Sequence, residues 1–321
     1  MSAIVMHNHF SKIVYNSLDE QVKNSINNVN LYEFAGNGPD SFLYHRFLNK
    51  KCVKNNIDVW NVMNTKNVKG FIYELANASK LNKDLFPYLC GYITYYYLSA
   101  LTNPYIYHKS GVYDPQINNS IKYRGLHLKL TRAMDSYVIE NYFNANPNKF
   151  KVKKLLKLKR LPKTINQDIN IIYEKVYDIS NAYKLINTNI WHQKCFYELI
   201  HDPFGIKNTI LSKFDKGKSL IDLNFITYFN KNINIRKFDI FNFKHDRWFN
   251  PVDDTITSID SFFDLFDKAK KISNDAITAL YKIIYLDEDI SLDQYILDIN
   301  VITGLPLNKG SEMKYFNNIF K

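Results

Sequence analysis

The chain is poor in cysteine, glycine and proline, with 3, 10 and 9 of them in 321 residues. Cys52, Cys90 and Cys195 are odd in number and far apart, which excludes a disulfide framework and a zinc-finger spacing. Scarce glycine and proline leave long uninterrupted segments, and these favour helices. No apolar run reaches the ~18–20 residues that a membrane span needs. The opening MSAIVMHNHFSK lacks a charged region followed by a long apolar run, so no signal peptide is expected, and a cytoplasmic protein is. There is no internal repeat and no low-complexity linker. Basic and aromatic residues nowhere form a shared cluster, so nucleic-acid binding is not supported.

What is present describes a globular chain. It is 46% hydrophobic and 23% charged, with 24 tyrosines and 22 phenylalanines. The formal net charge of +11 suits an anionic surface, although richness in Lys, Asn and Ile also marks simple compositional drift. The segment 150–163, FKVKKLLKLKRLPK, is basic and amphipathic. It reads either as a contact for phospholipid headgroups or as a solvated face over Val152, Leu155 and Leu156. An unidentified protein partner or an anionic lipid surface is the partner class left open.

The run 87–106, PYLCGYITYYYLSALTNPYI, organises the rest. Leu89, Tyr92, Ile93, Tyr96 and Ala100 recur at helical steps, and Pro104 is expected to end the helix. Tyr95, Ser99 and Asn103 lie four apart, a step that drifts only about 40° around a helix. The three share a face and could line a buried site. Further helices are expected over 7–18, 58–79 and 121–142, and on to about residue 202. Gly36–Asp40 is a turn, with Asp40 a candidate cap for a helix from Ser41. The expectation is an all-α, multi-helix fold. Residues 1–150 form a helical core, and 151–321 pack on the same domain.

Several of these stretches resemble the zinc-dependent phospholipase C family. Gly91-Tyr92 and Pro104-Tyr105 bracket a helix like that family's G-[FY]-x-x-H-x-x-x-D-x-x-x-H-P-[YF]. Gly38-Pro39-Asp40 is similar to its G-x-x-G-P-D turn. His7 falls where the family has a ligand His at the head of a helix, and Met63-Asn64 where it has Met-His. His127 and Thr131 match an H-x-x-x-E pair, and Asp135 matches a further acid with a structural role. Near the end, Arg247–Val252 is similar to W-x-x-P-V, and Ser261-Phe262 with Leu265, Phe266 and Ala269 to S-F-x-x-L-Y-x-x-A. Ile302–Leu305 is similar to Y-x-T-G-L. The resemblance spans the chain and implies a phospholipase C-like fold. His192, His201 and His245 show no ligand spacing.

The resemblance also identifies what has changed. In that family zinc ions polarise a phosphodiester and lower the pKa of bound water toward ~7. Zinc takes imidazole, thiolate or carboxylate ligands. Of the eight matched ligand positions, only His7, Asp40 and His127 keep such a group. Asn64, Tyr95, Ser99, Asn103 and Thr131 are neutral, weak donors to a divalent cation. The favoured expectation is therefore a degenerate, non-catalytic relative acting as a binding or structural protein, with no catalytic residue and no cofactor. The alternative is a phosphodiesterase using a reduced site on His7, Asp40 and His127, with zinc held at low occupancy.

Overall fold

The uninterrupted segments fold as helices in the computed structural model, which describes residues 4–114, 116–214, 226–228 and 237–320. Residues 1–3, the start of the segment read for a leader, lie outside the described residues. The α-helices are α1 (Ile4–Ser17), α2 (Glu20–Ser25), α3 (Val29–Ala35), α4 (Lys50–Thr65), α5 (Val68–Leu81) and α6 (Phe86–Ser110). They continue with α7 (Leu126–Asn141), α8 (Asn166–Tyr177), α9 (Ala182–Leu199), α10 (Ile206–Phe214) and α11 (Phe262–Tyr285). Among the described residues the only sheet is one antiparallel pair, β1 (Trp248–Phe249) and β2 (Thr257–Ser258), with Trp248 opposite Ser258. No helix among them is long and apolar enough to cross a membrane.

Helix α6 is apolar or aromatic on nearly every face, and such a helix must be enclosed. It packs against α11, α3, α5, α1 and α7. Helix α3 crosses it at Gly91, where a Cβ would collide with the Tyr32 carbonyl and the Ala35 methyl. Helix α11 opens with a capping box in which Ser261 and Asp264 satisfy each other's backbone amides. Its stripe Leu265, Phe266, Ala269, Ala276, Ile277 and Leu280 is buried. One hydrophobic core thus runs through residues from both halves of the chain. Tyrosines of α6 also hold the segment 295–301: Tyr97 donates to the Tyr295 carbonyl, and Tyr96 to that of Leu297 at 2.5 Å.

Several local expectations are corrected. Pro104 lies inside α6, which runs on to Ser110. A proline removes one helical N–H and crowds the carbonyl four residues back. Gly304, with a φ of +67°, packs its bare Cα against that carbonyl, on Ala100, and against the Pro104 ring, where a Cβ would collide, while its own amide donates to the Asn300 carbonyl. The helix expected over 58–79 is two helices, because Asn67 adopts a left-handed φ of +50°. Asparagine tolerates that region through its short polar side chain. The stretch 121–142 starts as a 3-10 turn and becomes α7 only after Gly125, with φ +74°. Gly38–Tyr44 is itself a 3-10 helix, so Asp40 lies within it and caps nothing at Ser41. The basic segment 150–163 is mostly irregular around a short turn, Val152–Leu155, and is not an amphipathic helix. Lys153 and Lys157 pair with Glu198 and Glu33.

Candidate functional site

The four-residue repeat on α6 puts Tyr95, Ser99 and Asn103 in one row, and α1 and α7 close over it. Together with His7, His127 and Thr131 these side chains line a cavity of about 30 Å³. Such a volume holds one or two waters and no organic ligand. Trp60, Tyr107, Met6, Leu98, Met134 and Phe262 are also in its wall. Asp40 and Asn64 do not line it. Asp40 lies behind Trp60, whose indole N–H donates to its carboxylate at 2.8 Å. Asn64 lies behind Tyr95.

Tyr95 and Asn103 in the row, and Asn64 and Thr131 beside it, are held in neutral hydrogen bonds. The Tyr95 hydroxyl donates to Asn64 Oδ1 at 2.5 Å, and Asn64 donates to the Trp60 carbonyl at 2.7 Å. Asn103 donates to the Val301 carbonyl at 3.0 Å, while the Val301 amide donates to the Asn64 carbonyl at 2.9 Å. The segment held by the α6 tyrosines is therefore also tied to Asn103 and Asn64 through Val301. Thr131 turns its hydroxyl back to the His127 carbonyl at 2.9 Å. The Tyr95 ring stacks on His7 at 5.3 Å and covers Gly38, whose φ of +53° and missing Cβ leave room for it. Tyr107 stacks on His127 at 4.8 Å.

The electrostatics follow from enclosure. Burial lowers His7 to about 4 and His127 to about 3, so both imidazoles are neutral at pH 7. Burial raises Asp40 to about 6, opposed by the Trp60 hydrogen bond. Tyr95 is pushed well above 10, by burial first and by the Asp40 charge second. A phenol so shifted stays protonated and offers no anionic oxygen to a cation.

Comparison with protein-family models, curated proteins and solved structures gives no match.

Zinc, which the resemblance implies, needs three or more convergent nitrogen, sulfur or carboxylate donors. Among the described residues no three His, Cys, Asp or Glu side chains are so grouped. At the cavity there are two imidazoles with unpartnered Nδ1 atoms, and the nearby carboxylate is turned to an indole. The residues present do not fit a zinc cluster.

Asp135 has a different task. It is fully buried and accepts from the Met6 amide at 3.0 Å and from the Tyr228 hydroxyl at 2.7 Å. That contact fixes the first turn of α1, which carries His7. Arg132, equally buried, lies 3.9 Å from the same carboxylate and donates to Tyr228. Sequence reasoning missed Arg132, Trp60 and Tyr107. Tyr107 had a signal, since it continues the row four residues past Asn103. Trp60 had a weaker one, one turn before Asn64. Arg132 had none, because an isolated arginine on an amphipathic helix reads as solvated.

Beside the enclosed cavity lies an open cleft of about 630 Å³, and Tyr107 belongs to both. Tyr123 and Phe316 meet edge to face at 5.1 Å in its wall, and Lys122, Lys314, Asp114 and Glu312 stand around it.

Proposed function

We propose that this chain is a degenerate, non-catalytic relative of zinc-dependent phospholipase C, serving as a binding or structural protein. One observation carries the reading. At the matched ligand positions of α6 the side chains are neutral, Tyr95 and Asn103 are hydrogen-bonded and Tyr95 is stacked, around a cavity too small for a phosphodiester. Such a set stabilises the helix packing and supplies neither a nucleophile nor a Lewis acid. The adjoining cleft, large enough for a peptide side chain or a small ligand, is the binding surface this reading favours. Its occupant on this reading is a protein partner. The free thiols of Cys52, Cys90 and Cys195 agree with a cytoplasmic setting.

The second reading, a phosphodiesterase with a reduced metal site, draws support from the unpartnered Nδ1 atoms of His7 and His127. Buried polar atoms without partners are uncommon. Hydrolysis of phosphatidylcholine and of a generic phosphodiester, after dialysis against zinc, separates the two. The non-catalytic reading expects wild type, His127→Ala and Asp40→Ala to be equally inert. Turnover by wild type that both variants lose would establish the reduced-metal enzyme.

A further inference from the structure

Helix α10 is built unlike the others. None of its residues is buried. Ile206, Ile210 and Phe214 recur at steps of four, each step drifting about 40°, so they form one continuous stripe. Phe204 lies just before the helix and Leu199 at the end of α9, and all five side chains are between 51% and 76% exposed. Scattered exposed apolar residues are ordinary, but a contiguous set is not. By the same helical spacing, Lys213 and Lys207 border the stripe, one on each side. Lys207 is anchored by donating to the Leu199 and His201 carbonyls at 2.7 Å each, so its charge is fixed beside the stripe. Lys151 stands near the same turn: His201 is lowered first by burial and then by the charges of Lys151 and Lys207. Lys153 lies beyond, paired at 3.0 Å with Glu198. The acid nearest the helix start, Asp202, is buried and occupied by the Asn208 amide at 2.7 Å.

We infer that α10 is an interfacial docking helix for an anionic phospholipid bilayer. The apolar stripe enters the boundary between headgroups and acyl chains, Lys213 reaches the phosphates, and the anchored Lys207 adds a fixed positive charge on the other side. Charge complementarity selects this occupant. An apolar strip edged on both sides by ammonium groups matches a surface that is apolar below and anionic above. The net charge of +11 adds long-range attraction to the same surface. The inference goes beyond the pocket and holds whether or not the pocket is catalytic.

The test is co-sedimentation of the full chain with vesicles of phosphatidylcholine alone or of phosphatidylcholine with phosphatidylserine, at low and high salt. Wild type should bind the phosphatidylserine vesicles and leave neutral ones largely free. The variant Ile206→Ser/Ile210→Ser/Phe214→Ser should lose about tenfold or more in partitioning, because each exposed anchor contributes its own apolar transfer. Lys213→Glu should weaken binding at low salt and approach wild type at high salt, where screening removes the attraction. All substituted side chains are exposed, so circular dichroism should leave the variants indistinguishable from wild type. Equal binding by the triple serine variant, or no binding of wild type to anionic vesicles, overturns the inference. So does a concentration-dependent dimer of wild type that the serine variant abolishes, which would assign the stripe to a second copy of the chain.

Discussion

Removing the Tyr95 hydroxyl tests whether the polar row is structural. Tyr95 is fully enclosed, and its hydroxyl is the donor to Asn64 Oδ1 at 2.5 Å. Asn64 is itself buried, and its amide nitrogen is committed to the Trp60 carbonyl. Tyr95→Phe keeps the ring on Gly38 and His7 but leaves Asn64 Oδ1 without that donor. An unmet buried acceptor costs about 1–3 kcal/mol. At about 2.1 cal/mol/K per residue, 321 residues give an unfolding entropy of about 0.67 kcal/mol/K. A loss of about 2 kcal/mol then lowers Tm by about 3 °C. Chemical denaturation of Tyr95→Phe, Asn64→Ala and the double variant reads the coupling directly, and about 1 kcal/mol or more is expected between them. A Tyr95→Phe protein within about 0.5 kcal/mol of wild type would refute the reasoning.

Three further outcomes follow from the same geometry. Gly304→Ala should destabilise by about 1 kcal/mol or more, since φ is +67° and the new methyl meets the Ala100 carbonyl. Gly310→Ala, whose Cβ finds only Val252 at 3.9 Å, is the control in the same thermal melts and should be nearly neutral. Arg132→Met should cost about 3–5 kcal/mol in urea denaturation, because Asp135 would lose its buried countercharge. For pH, His7 is lowered by burial from 6.5 to about 4, so the unfolded chain takes up its proton first as pH falls. The stability it contributes is complete above about pH 6.5 and is lost toward pH 4, at about 1.4 kcal/mol per unit. Asp135, raised by burial to about 6, acts in the opposite sense because the folded chain takes its proton first. His7→Asn should therefore flatten the fall in stability between about pH 6.5 and 4, and an unchanged slope in denaturant titrations would contradict the burial of a neutral His7.

The helical class was legible because few breakers and strong 3.6-residue periodicity act locally. The row 95, 99, 103 was legible for the same reason, since helix geometry alone fixes a shared face. Where reading failed, the deciding contact lay far away in sequence. Pro104 looked like a terminator, yet the helix runs through it, with Gly304, two hundred residues on, packed closely against the turn. The break at Asn67 carries no proline or glycine and depends on one left-handed asparagine. The segment 150–163 carries the apolar spacing of a helix, but Lys153 and Lys157 are tied to acids on α9 and α3. At the site, residue types suggested a set facing one cavity, but they could not show Asp40 turned behind Trp60. That arrangement depends on how α4 meets the 3-10 turn, which no local pattern records.

The central claim is that the matched ligand positions no longer hold a metal. Elemental analysis of the purified chain after dialysis against zinc tests it most directly, with His127→Ala and Asp40→Ala alongside. The account expects less than one zinc per chain in wild type and the same content in both variants. A stoichiometric zinc in wild type that both substitutions remove would contradict it.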